Sequence, residues 1–168
     1  MTTFLNTIET YATKDGFNSY WLRQEGNKNI ILIDPVCFDI NYYLAINKQD
    51  LWVSDVILTS KWHKKNWRQS LISIYNPHIV NVHSDHHFTN TAQGRINLLP
   101  LPAFAGQAVV YGNCVFMGAM NIISQCASGD AKELWQQFLT QLSGENYVFS
   151  CYGPPDTLSS LKKLASLL

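Results

Sequence analysis

Apolar residues along this chain fall into short runs broken by turn residues, alternating with stretches of helical spacing. Asn18–Leu22 (NSYWL), a turn containing Gly26-Asn27 and the run Ile30–Ile33 predict a β-hairpin, closed by Asp34-Pro35. Asp39–Asn47 is weakly periodic and predicts a short helix, and Val53–Thr59 (VSDVILT) predicts a strand. Trp67, Leu71, Ile74 and Tyr75 stand at i, i+4, i+7 and i+8, an apolar helix stripe ended by Asn76-Pro77. Ile79–Val82, Ile96–Leu101, Gln107–Tyr111 and Cys114–Gly118 read as further short strands. The clearest helix signal is Ala131, Leu134, Trp135, Phe138, Leu139 and Leu142, with Asp130 and Glu133 spaced as a capping box and Gly144 as its stop. Tyr147–Ser150 predicts a last strand, and Leu158, Leu161, Leu164, Ala165 and Leu168 predict a terminal helix after Pro154-Pro155. The order predicts a layered α/β or α+β domain with helices packed on sheets.

The 168 residues suit one domain, 1–168, with a core of its own. Hydrophobic residues reach 46% and charged ones only 14%, which excludes disorder and leaves much of the surface uncharged. Such a surface is expected to be hidden in part in a homodimer or against another partner. Twelve Lys+Arg balance twelve Asp+Glu, so bulk charge draws the chain to neither nucleic acid nor an anionic membrane. Ile96–Gly129 holds no charged residue, yet Pro100, Pro102, Gly106, Gly112 and Asn113 break it into pieces too short to span a bilayer. The segment MTTFLNTIETYATKDG lacks a basic n-region and carries Glu9 where a signal peptide is apolar, so a cytoplasmic location is expected. Cys37, Cys114, Cys126 and Cys151 form no CxxC and read as free thiols.

Four landmarks carry a resemblance: NSYWLRQEGNKNIILIDPV, SDVILTSKWHKKNW, LPLPAFAGQAVVYGNCVFMGAM and FSCYGPPDTL. Taken in order, from Asn18 to Leu158, they resemble the metallo-β-lactamase superfamily, with its N-x-Y-L-V…LIDPG hairpin, T-H-x-H-x-D-H turn, LPTPGHTPGSVVY…VLFTGD strands and late PGHGPPTTL. The resemblance implies a compact αββα sandwich and, in the family, hydrolysis at one or two zinc ions. The family's ligands are not retained. Ser60 and Trp62 stand at its first two histidines, Lys64 at its aspartate and Lys65 at the last histidine of that turn. Phe104 stands at the histidine of the G-H-T-x-G turn, Ala119 at the bridging aspartate and Tyr152 at the final histidine.

Zinc hydrolysis needs imidazole and carboxylate donors that hold the metal and lower the pKa of its water to ~7. Phenyl, methyl and indole groups cannot substitute, and ammonium groups repel a divalent cation. The reading is therefore a metal-free member of the fold with no cofactor. Lys64 and Lys65 either supply the positive charge the metal once gave or are solvated residues at a helix start.

The remaining ligand-type residues are His83, Asp85, His86 and His87, with His63 one place out of register. They read as a relocated transition-metal site or as a polar exit from a strand. Cys151 and Cys114 lie beside the expected pocket without a His-Asp partner, so they read as buried or pocket-lining thiols rather than nucleophiles. Neither GxGxxG nor GxxxxGK[ST] occurs, which argues against the nucleotide sites those loops build. Trp62, Trp67, Phe104 and Tyr152 are expected to converge on the ancestral pocket, filling or narrowing it or leaving an apolar recess for a small organic ligand. Three functions follow: a non-catalytic ligand-binding or regulatory pseudo-hydrolase, a hydrolase with a relocated metal around His63, His83, Asp85 and His86, and a structural subunit.

Overall fold

In the computed structural model, which describes residues 6–36, 38–61, 67–82, 87–102, 106–118, 132–142 and 146–167, these runs and stripes become two sheets and their covering helices. The first half supplies β1 (Asn6–Ala12), β2 (Asn18–Gln24), β3 (Asn29–Ile33), α1 (Ile40–Asn47), β4 (Trp52–Ile57), α2 (Arg68–Tyr75) and β5 (His78–Val80). The second supplies β6 (Phe88–Thr91), β7 (Gly94–Pro100), β8 (Gln107–Tyr111), β9 (Cys114–Phe116), α3 (Lys132–Gln141), β10 (Tyr147–Phe149), β11 (Asp156–Thr157) and α4 (Leu158–Leu167). Among the described residues the strands pair in the orders β1-β2-β3-β4-β5 and β11-β10-β9-β8-β7-β6. The pairs β3-β4, β4-β5 and β9-β10 are parallel. Parallel neighbours require a crossover, and α1, α2 and α3 lie in those three connections.

The pattern in β3 explains the layering. Ile30 and Leu32 face the helices, packing with Tyr42 and Ile46 of α1 and Leu71 and Tyr75 of α2. Ile31 and Ile33 face the second sheet, packing with Ile96, Val109 and Phe116. A strand buried on both faces reads as a continuous apolar run, which is how Ile30–Ile33 appears in the sequence. The bulge between Ile30 and Ile31 pairs Ile31 with Asp55 and skips Ser54, so Val53 and Val56 both reach the helical side. The outer face of the second sheet, with Ala108, Val115, Met117 and Val148, is covered by Trp135, Phe138 and Leu139 of α3 and Leu158 and Leu161 of α4. The result is the αββα sandwich that the resemblance implies.

The local signals act as expected where they are described. Asp39 caps α1 by accepting from Tyr42 N at 2.9 Å. Asn76 ends α2 in the left-handed conformation at φ 46°. The capping box and stop of α3, at Asp130 and Gly144, lie outside the described residues. Two stripe positions differ from expectation: Ile74 is 44% exposed and Leu134 is 48% exposed. In α2, Trp67, Leu71 and Tyr75 already fill the inward strip at i, i+4 and i+8, which turns Ile74 outward. In α3 the same holds for Trp135, Phe138 and Leu139. Strands β1, β6 and β11 were not anticipated, because their Thr, Asn and Asp content imitates loop sequence. At the end of the sandwich where β3 begins, Gln93 clasps the sheets together, its Nε2 donating to the Leu22 and Asn29 carbonyls at 2.8 Å each.

Candidate functional site

Four strands run to one edge of the sandwich, and each is followed by a small or polar residue: Asp34 after β3, Thr59 after β4, Gly118 after β9 and Cys151 after β10. Carboxyl ends of parallel strands are where open α/β sheets build their sites. Here they interlock. Asp34, 1% exposed, accepts from Thr59 N at 2.8 Å through Oδ1 and from Thr59 Oγ1 at 2.6 Å through Oδ2. Cys151 Sγ donates to the same Oδ2 at 3.7 Å. The backbone closes the ring, with Asp34 N donating to Ile57 O at 3.1 Å and Cys151 N to Gly118 O at 2.7 Å. Asp34 holds φ 50°, a conformation that Asp tolerates better than most residues. Gly118 has φ 62°, and a β-carbon placed on it would lie 2.0 Å from Thr59 Oγ1. No side chain fits there.

The rim is tied as firmly. Ser60 bridges to Gly106, and Gln107 N donates to Thr59 O at 2.8 Å while its Nε2 donates to Leu58 O at 2.8 Å. Across the site, Tyr152 bridges to Phe17, and their rings meet edge to face at 5.4 Å. Asn18 holds the same loop, its N donating to Cys151 O at 2.7 Å and its Nδ2 to Gly153 O at 2.9 Å. The Tyr20 hydroxyl donates to Ser150 O.

Burial controls the acids of this floor. It pushes the Cys151 thiol well above its ordinary range, and the Asp34 carboxylate beside it adds to the effect. Burial likewise raises Cys114, and raises Tyr20 from 10.0 to about 12. A thiol held protonated is not a nucleophile. Iodoacetamide at mildly alkaline pH is therefore expected to leave Cys151 and Cys114 unmodified in native protein and to label both after denaturation, as read by peptide mass mapping. Labelling of native Cys151 would contradict the interlocked floor. Stability follows the same groups. Each has a higher folded than unfolded pKa, so the unfolded chain loses its protons first as pH rises. Stability is thus full below the unfolded thiol value of about 8.5, and is lost as pH climbs through Tyr20's folded value of about 12. Chemical denaturation at stepped alkaline pH checks this.

No family model matches the sequence, and no curated protein does. Solved structures do match the fold. ETHE1 from Myxococcus xanthus superposes with a TM-score of 0.74 over 95% of this chain and 83% of that one, at 16% identity. The BLEG-1 B3 metallo-β-lactamase gives 0.71 over 91% and 95%, at 11% identity. The chemotaxis sensor ODP, solved as a peroxy diiron species, gives 0.69 over 90% and 85%, at 8% identity. The chain has the metallo-β-lactamase fold.

Of the positions that the sequence resemblance sets against the ligands of the metallo-β-lactamase fold, two are described, Ser60 and Tyr152, and both lie at the strand ends. Both side chains end in a hydroxyl, and Tyr152 stands 57% exposed against Phe17. Trp62, Lys64, Lys65, Phe104 and Ala119 lie outside the described residues, as do His63, His83, Asp85 and His86. Among the described residues no group of three or more His, Cys, Asp or Glu is placed to hold a metal ion. The buried carboxylate at the site, Asp34, spends both oxygens on Thr59. The donor set that the fold family implies is therefore not matched by these residues.

The expected convergence of aromatics needs correction. Trp67 is fully buried between the first sheet and its helices, whereas Tyr152 lies on the surface, so these two do not share a recess. Trp67 belongs with Leu71 and Tyr75 to the core cluster between the first sheet and its helices. Asp34, Thr59 and Gly118 were not singled out as site residues. The available signal is that each of four apolar runs is followed by a polar or small residue.

Proposed function

We propose that this chain is a metal-free, non-catalytic member of the metallo-β-lactamase fold, a pseudo-hydrolase that has kept the scaffold for a ligand-binding or regulatory role. The observation that carries this reading is the fate of the ligand positions. Indole, phenyl and methyl groups at Trp62, Phe104 and Ala119 lack a donor atom wherever they point, and the hydroxyls of Ser60 and Tyr152 are poor substitutes for imidazole and carboxylate ligands. Lys64 and Lys65 bring positive charge to the turn where the family places an aspartate and a histidine.

The retained floor supports the same reading. Asp34, Thr59, Gly118 and Cys151 hold the strand ends to one another, a structural duty that stays useful when the metal chemistry is gone. Hydrolysis of thioesters, lactones, β-lactams and phosphoesters by purified protein, assayed with and without added zinc, tests the proposal. The expected result is no turnover above buffer in either condition. Zinc-stimulated turnover that co-purifies with the protein and disappears in the His83→Ala, His86→Ala double variant would overturn it.

A further inference from the structure

Away from the strand ends, at the β5 edge of the first sheet, a buried carboxylate holds an exposed imidazole. His78 opens β5 and is the Cα partner of Asp55 on β4. The bulge that skips Ser54 sets Asp55 opposite Ile31, where its side chain is buried. The two carboxylate oxygens divide their work. Oδ2 accepts from Ser54 Oγ at 2.7 Å and from Ala92 N, in the β6–β7 turn, at 3.3 Å. These two donors fix the carboxylate and leave Oδ1 to His78 Nδ1 at 3.3 Å. Among the described residues no Lys or Arg forms an ion pair with Asp55.

A carboxylate only accepts hydrogen bonds, so Nδ1 carries the proton of the neutral ring and the free lone pair sits on Nε2. The His78 side chain is 60% exposed against 4% for Asp55. An electrophile that adds to Nε2 turns the ring into a cation, and the fixed carboxylate on Nδ1 compensates that charge as it forms. We infer that His78 is a phosphoryl-acceptor site, taking the group on Nε2 from a small phosphoramidate donor, with Asp55 as its positioning residue. The Nε2–P bond forms as the donor's P–N bond breaks, and the electron pair of the broken bond leaves on nitrogen as ammonia. His78 keeps its Nδ1 proton and ends as an imidazolium beside Asp55. The transferred group carries negative charge that needs water, and an exposed ring on an edge strand gives it that. The inference is independent of the metal-site reading, since neither residue belongs to the strand ends.

Incubation of the full chain with potassium phosphoramidate, followed by phosphorus NMR and peptide mass mapping, tests this. Phosphorylation on Nε2 of His78 is expected well ahead of the other four histidines, His63, His83, His86 and His87, which serve as internal references. Asp55→Asn is expected to slow labelling of His78 by roughly tenfold while the reference histidines keep their rates. A second readout needs no variant: proton–nitrogen correlation spectra of the wild type are expected to show neutral His78 protonated on Nδ1 and bare on Nε2. Labelling spread evenly over the histidines, an Asp55→Asn variant modified at the wild-type rate, or a neutral His78 protonated on Nε2 would overturn the inference.

Discussion

Replacing Gly118 with Ala is expected to lower the melting temperature by about 10 °C. Two costs combine. The residue holds φ 62°, where a β-carbon costs on the order of 1 kcal/mol. That carbon would also lie 2.0 Å from Thr59 Oγ1 and 3.0 Å from Thr59 Cβ, so Thr59 must move. Its hydroxyl is bonded to the Asp34 carboxylate at 2.6 Å, and breaking such a charge-assisted bond costs about 1.5–3 kcal/mol. The sum is roughly 2.5–4 kcal/mol, against a typical stability of about 5–15. A thermal melt of Gly118→Ala within ~2 °C of wild type would show that Thr59 is not pressed against Gly118.

The second large effect is expected at Asp34. Asp34→Ala removes the acceptor of both the Thr59 N–H and the Thr59 hydroxyl in a fully buried place. It also leaves an alanine at φ 50°. Leaving the buried Thr59 N–H and hydroxyl without their acceptor costs about 1–3 kcal/mol each. Asp34→Asn keeps an acceptor for Thr59 N and tolerates the left-handed conformation, so it is expected to lose less than half as much. Urea denaturation of the two variants separates these cases. Equal losses would mean that the carboxylate charge, rather than its two acceptor oxygens, holds the floor.

Legibility in the sequence followed burial. Strands buried on both faces, such as Ile30–Ile33, declare themselves as unbroken apolar runs, and helices with one clear stripe declare themselves at Trp67–Tyr75 and Trp135–Leu139. Strand β1 did not, since its NTIETYA pattern offers alternating polar residues at a sheet edge. Local pattern also misled where it named too many inward positions, as at Ile74 and Leu134. The floor could not be read, because Asp34 meets Thr59 across 25 positions and Cys151 across 117. Asp34-Pro35, read locally, is a turn that closes a hairpin, and its carboxylate gains its structural duty only when β4 and β10 arrive beside it.

The proposed loss of the metal from this metallo-β-lactamase fold is open to direct measurement. Elemental mass spectrometry on tag-free protein, expressed with zinc, iron and manganese supplied and purified without chelator, tests it most directly. Far less than one equivalent of each metal per chain is expected, together with an unchanged melting temperature when zinc is added. One equivalent or more of a single metal, retained through gel filtration, would contradict it.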